Sequence, residues 1–358
     1  PNLENAAVGR GYAAANVFQA SALAMQACAR QSQQMQINAP CEVVLSGNDL
    51  IMPGRTIRAG IGATSPSPVW HITGAKTDIF IVGSIHFLKA TLLPLPQSIH
   101  TAFDLTERLA LETNPVLFTD RQRASEIAQI MQGDAKENRA LMDRRLKKAL
   151  RSAFKPFGMK TRELEQLAPF ATSLLLGQQQ LMSWGYEGNR GIEVSRYRGI
   201  EVSRYRGIES NFVRQASSSG KPVIELEGYL DALKIMAETP LAIQVDVLKT
   251  TLEQLPNNPD HMAKLVRNWF AGDAEKLYEL TVEQSSRTEG ETALIRALID
   301  GRNQTMWQNI QPILTDDIPT VIMVGSAHLR GEQGLLMSLQ QAGYGVVQLS
   351  QSGDPIGI

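Results

Sequence analysis

Histidine and cysteine are both scarce in this chain, which contains five histidines and two cysteines among 358 residues. The pattern HExxH does not occur, so a metallopeptidase of the zincin type is excluded. Neither cysteine has a histidine beside it in the sequence, which argues against a catalytic thiol. Any imidazole chemistry therefore depends on a very small set of residues.

Net charge and long apolar runs are also lacking. The formal net charge is -1, which offers no general electrostatic attraction to nucleic acid or to an anionic membrane surface. No apolar run reaches the roughly eighteen residues that a membrane-spanning helix needs. The sequence therefore predicts neither a nucleic-acid partner nor a transmembrane segment.

A short motif that contains histidine occurs twice. Residues 79–88 read IFIVGSIHFL and residues 322–336 read IMVGSAHLRGEQGLL, so both segments contain VGSxH. Each apolar run is short, rich in branched residues and bounded by glycine, which is typical of a buried central strand. His86 and His328 are then expected just beyond the carboxyl ends of their strands, where open α/β sheets bind ligands.

The repetition changes how these two histidines are interpreted. A single histidine after a strand is usually a core or surface residue that bonds to the backbone. Two histidines at the same position of a repeated motif indicate a shared site instead. Neutral imidazole is the commonest metal ligand and titrates near neutrality, so His86 and His328 suit either a shared metal or a shared acid–base site.

At these residues the chain resembles the TraB/PrgY/GumN family, which includes the TIKI proteases and is defined by two GxxH motifs. Here the motifs are Gly83–His86 and Gly325–His328, and the resemblance extends from about Pro68 to Leu349. It is most specific at HLRGEQGLLMSLQQAGYGVVQL, which is similar to the closing family pattern HLxGxxGLLxLLxxxGYxV. Ser338 stands where that pattern has leucine, a change that affects side-chain packing rather than chemistry.

The resemblance implies two further acids for the site. Glu112 ends the apolar segment LALE, and Glu227 lies near the end of VIELEG; the family has a glutamate at both places. From the residues alone, each is either a solvated acid at a strand end or a buried acid with a partner. A buried acid is costly unless a cation or a metal pairs with it.

Arg302 and Asn303 match the family's RN motif on the helix before the last VGSxH strand, whereas from sequence alone they read as a surface pair. The resemblance implies that Arg302 holds a carboxylate or stabilises a developing oxyanion. The implied catalytic residues are Glu112, Arg302, His86 and His328. The implied metal ligands are His86, Glu112, Glu227 and His328.

The predicted fold is α/β, with a central mixed sheet built from two pseudo-equivalent strand–GxxH halves and a large helical insertion at about 120–215. Residues 1–65 are predicted to form an N-terminal helical appendage, and 66–358 the α/β domain. Residues 190–205 contain two perfect copies of RGIEVSRY. Because this unit is too short for a solenoid repeat, it is interpreted as an expansion in a loop or at a helix end.

The leading functional hypothesis is a metal-dependent hydrolase, of the metalloprotease kind, that acts on peptides. Two histidines and two glutamates supply ligands for a divalent metal, either Mn, Co or Zn, and a carboxylate to take a proton from water. One alternative is a peptide-binding or signal-inhibiting protein without catalysis. Another is a metal-free, esterase-like hydrolase that uses histidine as a general base. The expected partner is a peptide or protein substrate, and the oligomeric state is left open.

The resemblance also implies a periplasmic or secreted location, because relatives in the family are commonly exported or attached to membranes. Cys28 and Cys41 are expected to form a disulfide in an exported protein and to be free thiols in a reducing compartment.

Overall fold

A computed structural model gives the fold for residues 17–36, 41, 45–46, 49–50, 57–89, 92–115, 120–184, 186–188, 208–254, 258–283 and 287–356. The tandem duplication at 190–205 lies outside these described residues. The predicted α/β class with a mixed central sheet is confirmed.

Ten strands are described, six of which form the central sheet. In chain order they are β1 (Leu45–Ser46), β2 (Asp49–Leu50), β3 (Pro66–Thr73), β4 (Ile79–Ser84), β5 (Phe87–Leu88), β6 (Arg108–Leu111), β7 (Glu187–Gly188), β8 (Val223–Glu225), β9 (Thr320–Gly325) and β10 (Gly345–Ser350). The central sheet has the order β10-β3-β4-β9-β6-β8. The pairs β1–β2 and β5–β7 form separate two-stranded sheets.

Four neighbouring strands of the central sheet run parallel. Strand β4 pairs with β9, β9 pairs with β6, and β6 pairs with β8, all in parallel. Strands β3 and β10 are antiparallel and extend the sheet beyond β4. The carboxyl ends of β4, β9, β6 and β8 therefore meet at one edge of the sheet.

The two VGSxH strands are direct neighbours, but they are staggered by one residue. The Cα partner of Gly325 is Ser84, and the partner of Gly83 is Val324. After β4 the chain continues into β5, whereas after β9 it turns into a 3-10 helix, Ser326–His328. The two predicted halves are thus equivalent in their strands, but the segments that carry the two histidines after those strands have different conformations.

The described helices are α1 (Val17–Gln34), α2 (Gln97–Asp104), α3 (Arg121–Ile130), α4 (Ala135–Leu141), α5 (Arg144–Phe154), α6 (Thr161–Leu164), α7 (Pro169–Ser183), α8 (Ile208–Ser219), α9 (Asp231–Glu238), α10 (Leu241–Gln254), α11 (Asn258–Phe270), α12 (Ala274–Tyr278), α13 (Glu289–Arg296), α14 (Arg302–Ile310) and α15 (Leu335–Gln341). Segments of π-helix follow α12 at Glu279–Glu283 and α13 at Ala297–Gly301. Aspartates start three helices of the predicted insertion: Asp120, Asp134 and Asp143 accept hydrogen bonds from backbone N–H groups of the first turn.

Helices cover both faces of the sheet. Alternate residues of each strand point to opposite faces, and the central strands carry apolar residues on both. On one face, Val82 and Met323 pack in a cluster with residues of α2, α8 and α11, such as Phe212 and Trp269. On the other face, Ile81, Ile322 and Val324 pack with residues of α14 and α15. Strand β4 is buried along its whole length, as its apolar sequence predicts.

A third cluster consists of helices alone. It joins residues of α3, α5 and α7 with Val245 and Leu248 of α10. Helix α10 follows β8 and so lies after the predicted insertion of about 120–215, while α8 begins inside that range and packs on the sheet. The helical layer is thus assembled from two stretches of the chain.

The N-terminal region contains α1 and a disulfide between Cys28 and Cys41, whose Cα atoms are 6.1 Å apart. Among the described residues, no helix combines the length and apolar character needed to cross a membrane.

Candidate functional site

The parallel strands deliver polar side chains to one edge of the sheet. Glu112 comes directly after β6, and Glu227 follows two residues after β8. His86 follows two residues after β4, and His328 ends the 3-10 helix after β9. The four residues predicted to share a site therefore reach the same place from four different strands.

Arg302, the first residue of α14, joins the two acids. Its Nη2 donates to Glu112 Oε2 at 2.9 Å and also to Glu227 Oε1. Its Nε donates to Glu227 Oε2 at 2.9 Å. The side chains of Arg302, Glu112 and Glu227 are only 12%, 11% and 1% exposed. Arg302 therefore holds both carboxylates, and holding a carboxylate is one of the two roles predicted for it.

His328 is buried beside this ion cluster. Its Nδ1 lies 2.7 Å from Oδ1 of Asn303, and its Nε2 lies 3.6 Å from Glu112 Oε1. Asn303 in turn donates from Nδ2 to the carbonyl of Gln333 at 2.9 Å, which leaves its Oδ1 as the acceptor. His328 Nδ1 therefore carries the proton in the neutral ring, and Nε2 is the nitrogen that lies near Glu112.

His86 is fixed in a similar way by an acid on another element. Its Nδ1 lies 2.9 Å from Oε1 of Glu209, which is the second residue of α8. Ser84 donates to the same oxygen at 2.6 Å. Glu209 is only 5% exposed, whereas the His86 side chain is 54% exposed and lines a cavity.

The motif glycines permit this close approach. A Cβ on Gly325 would lie 3.0 Å from Glu112 Oε1, 3.4 Å from His328 Cδ2 and 3.8 Å from His86 Nε2. A Cβ on Gly83 would lie 2.7 Å from Ser326 Oγ. The backbone N–H of Gly325 also donates to Glu112 Oε1. Gly325 is thus the point around which both histidines and Glu112 gather.

The charges of the cluster shift the pKa values of both acids. Burial raises the pKa of Glu112, but the charges of His328 and Arg302 and the N–H of Gly325 together lower it to about 2. Burial raises the pKa of Glu227, and its bonds to Arg302 act against that shift. Burial lowers the pKa of Arg302, but its bonds to both acids raise that pKa by more. The pKa is therefore above its ordinary value, and the guanidinium stays charged.

The two histidines differ in their pKa values. Burial lowers the pKa of His328 to about 4, with the charges of Arg302 and His86 acting in the same direction. Loss of solvation beside the cavity lowers the pKa of His86. The charge and hydrogen bond of Glu209 outweigh that effect and raise the pKa to about 9. At neutral pH His328 is therefore neutral and His86 is protonated.

A cavity of about 710 Å³ opens beside these residues. His86, Glu112, Glu209, Glu227 and Arg302 form its charged end. The remaining wall comes mostly from α7, α9, α10 and α13 together with the π-helical segment that follows α13. Its volume lies within the range of small-molecule sites, about 300–1,000 Å³.

A family model matches residues 68–348, which is most of the chain. The chain belongs to the TraB/PrgY/gumN family. This confirms the resemblance inferred from the two GxxH motifs, and both motifs and the closing pattern lie inside the matched range. Comparisons with curated proteins and with solved structures found no match.

Sequence reasoning on this TraB/PrgY/gumN chain gave no role to Glu209, although Glu209 fixes His86. It lies in Arg206-Gly207-Ile208-Glu209, where a third, incomplete copy of the RGIEVSRY unit begins. The repeat is interpreted as an added expansion, which gives its residues no functional signal, and a glutamate that starts a helix reads as a favourable helix residue. One sequence feature does indicate that Glu209 is buried: the apolar spacing of α8 puts it on the same buried face as Phe212 and Val213.

The donor atoms partly suit the metal that the resemblance implies. Each histidine anchors Nδ1 on an acceptor, which is the usual state of a histidine that binds a metal through Nε2, although Nε2 of His328 lies 3.6 Å from Glu112 Oε1. Glu112 has Oε1 near His328, whereas both oxygens of Glu227 bond to Arg302. Among the described residues, no three His, Cys, Asp or Glu side chains already stand in metal-binding geometry. His86, His328 and Glu112 fit a metal by donor type, and Glu227 serves Arg302.

Proposed function

We propose that this protein is a metal-dependent hydrolase that acts on peptides. One observation carries the proposal: two imidazoles from the repeated motif are each anchored at Nδ1 and lie beside Gly325 and Glu112, and His86 and Glu112 line the charged end of a cavity. Anchored histidines next to a carboxylate form the common ligand set of catalytic metal sites.

His86, His328 and Glu112 are the proposed ligands of a divalent cation. Such a cation, either Mn, Co or Zn, supplies a Lewis acid and lowers the pKa of water that binds to it. Glu112 stays ionised because its pKa is lowered to about 2, which suits a ligand better than a proton acceptor. His86 must lose its proton to become a ligand, so metal binding competes with protonation.

Arg302 is the proposed group that stabilises negative charge on the substrate. Its Nε and Nη2 bond to the two acids, and Nη1 donates to the carbonyl of Leu298 at 3.2 Å. One Nη1 hydrogen remains at the cavity wall for the oxygen of a substrate carbonyl. A fixed guanidinium at that position favours the charged transition state over the neutral amide.

A metal-free hydrolase is the second candidate, and the hydrogen bonds within the ion cluster favour it. His328 is neutral at neutral pH and would be the general base, although a pKa lowered to about 4 makes it a weak one. The bonds of Arg302 to both acids would then hold the ion cluster together without a cation.

Alanine variants of the two motif histidines test the proposal. His86→Ala and His328→Ala should each lose most of the bound metal and nearly all hydrolysis of a mixed peptide library, because a site with so few ligands cannot spare one. Metal content is measured by mass spectrometry of the purified protein, and cleavage by mass spectrometry of the peptides.

His71 and His261 supply matched controls. His71 stacks on Phe80 and lies near Asp78, away from the ion cluster, and His261 is on α11. Their alanine variants should keep wild-type metal content and activity. Full hydrolysis by folded His86→Ala and His328→Ala would contradict both hydrolase candidates at this site, whereas wild type that binds peptides without cleaving them would be a peptide-binding protein. Activity that persists after metal removal but needs His328 would favour the metal-free candidate.

A further inference from the structure

The cavity beside the ion cluster is divided into a charged end and an apolar remainder. Beyond the cluster, its wall is formed largely by aliphatic and aromatic side chains, among them Phe170, Leu174, Leu233, Met236, Leu294 and Leu298. These residues come from the helical layer, so the sheet contributes the charged end and the helices contribute the apolar wall.

Most polar side chains in the apolar part, including the carboxylate of Glu291, are already used within the protein. The hydroxyls of Ser173 and Thr251 donate to backbone carbonyls of their own helices at 3.1 and 2.8 Å. Thr250 donates to Glu291 at 2.6 Å, and Gln244 donates to a backbone carbonyl at 2.8 Å. These groups line the cavity, but their hydrogen bonds are directed away from a ligand.

This wall is poorly suited to a peptide main chain. A helix satisfies its backbone N–H and C=O groups internally, so a helical wall offers no backbone partners to an extended peptide. Gln178 and Gln254, which are half-buried, are too few to bond a run of peptide groups. A peptide there would lose hydrogen bonds to water without replacing them, whereas an aliphatic chain has none to lose.

We propose that the substrate of this site carries a long aliphatic acyl chain, which fills the apolar part of the cavity. The bond cleaved is then the amide that joins this acyl chain to an amine, such as the N-terminus of a peptide. Water adds across the C–N bond: its oxygen goes to the acyl carbon, and the amine nitrogen leaves with a proton. The products are a fatty acid and a peptide with a free amine. This inference rests on the proposed hydrolase function.

Gly177 of α7 offers a way to fill the cavity without disturbing the fold. It lines the cavity, and a Cβ added to it would meet no atom within 4 Å. Gly177→Phe should therefore occupy the space assigned to the acyl chain. Gly177→Ala is the matched control, because both variants remove a glycine from a helix but only phenylalanine fills the cavity.

The substrates for the test are one polar hexapeptide with an N-acetyl, N-hexanoyl or N-decanoyl group, incubated with metal-loaded protein. Each buried methylene contributes about 0.8 kcal/mol, or about fourfold. The four methylenes between hexanoyl and decanoyl should therefore raise kcat/KM for release of the free peptide by about 200-fold. Gly177→Phe should abolish this rise, and Gly177→Ala should keep it.

The other outcomes separate this inference from the proposed function. Cleavage of internal peptide bonds at equal rates in all three substrates would overturn the acyl chain and leave a peptidase. If none of these substrates and no peptide of the library is hydrolysed, the proposed hydrolase function is overturned. Calorimetry with decanoate then tests whether the cavity binds an acyl chain. Decanoate that binds wild type and Gly177→Ala but not Gly177→Phe supports the acyl chain, and absence of binding to wild type overturns it.

Discussion

Glu209 shows how a single side chain connects distant parts of this site. It leaves α8 to meet Nδ1 of His86 and the hydroxyl of Ser84, which belong to the first VGSxH motif. We assign it a positioning role, because it acts on the site through His86 and Ser84. Asn303 has the same relation to His328.

Replacing Glu209 with glutamine should lower the pKa of His86 in the metal-free protein, because the carboxylate charge is lost while the side-chain shape is kept. The pKa of His86 is raised above its ordinary value of 6.5, to about 9, so this pair stabilises the fold fully below pH 6.5. That contribution disappears as the pH rises through about 9. The difference in Tm between wild type and Glu209→Gln should therefore be largest near pH 6 and vanish above pH 9.

Proton NMR of the His86 ring measures the pKa directly, and thermal melts at several pH values measure the stability. A His86 pKa that is the same in wild type and Glu209→Gln would show that Glu209 does not control this imidazole. His71→Ala is a suitable reference, since its ring lies against Phe80 outside the cluster.

Arg302 is the only cation that the described structure places between the two buried acids. Arg302→Met should destabilise the protein by about 3–5 kcal/mol, because it leaves buried carboxylates without their partner. Urea unfolding at neutral pH gives this value. Arg287→Met is the control: its pair with Glu253 is exposed, and its loss should cost less than about 1 kcal/mol. A similar small cost for Arg302→Met would contradict the ion cluster.

At the scale of elements, sequence predicted the strands and their polar ends well. Branched apolar runs bounded by glycine identify β4 and β9, and the acids after β6 and β8 lie where the family pattern puts them. The one-residue stagger between β4 and β9 was not predictable, because identical motifs suggest identical levels in the sheet.

The helices were harder to assign from sequence. Apolar spacing identifies a buried helix face, but it does not say which layer that face contacts. Helix α8 packs on the sheet and α10 joins the helical cluster, although both have ordinary amphipathic sequences. Glu209 remained hidden for the same reason, since its partner is 123 residues away in sequence.

The duplicated unit before α8 should be dispensable. Deleting Arg190–Tyr197 leaves one complete copy of RGIEVSRY and the whole of Arg206–Glu209 ahead of the helix. We expect Tm to change by less than about 4 °C, which corresponds to about 1 kcal/mol for a domain of this size. Differential scanning calorimetry provides the comparison. Phe212→Ala, which removes a fully buried ring from α8, should by contrast cost about 3–5 kcal/mol. A deletion as damaging as Phe212→Ala would contradict the prediction.

At the scale of the whole molecule, the proposed metal connects three strands of the sheet. A ligand that binds only the folded state at 100 times its Kd stabilises that state by about 2.7 kcal/mol. Mn, Co or Zn should therefore raise the Tm of the wild type by about 5 °C or more, and EDTA should reverse the shift. His86→Ala should show no such shift. Equal shifts in wild type and His86→Ala would place the metal elsewhere.

The position of β9 also has a consequence for synthesis of the chain. This strand lies between β4 and β6 in the sheet, yet it is the next-to-last strand in the sequence. Until the ribosome has made residues 320–325, the edges of β4 and β6 lack the neighbour that joins them. Unpaired apolar edges attract other chains, so a nascent or truncated chain that stops before Thr320 is prone to aggregate. Synthesis of the second motif thus supplies both the strand that joins β4 to β6 and the last histidine of the site.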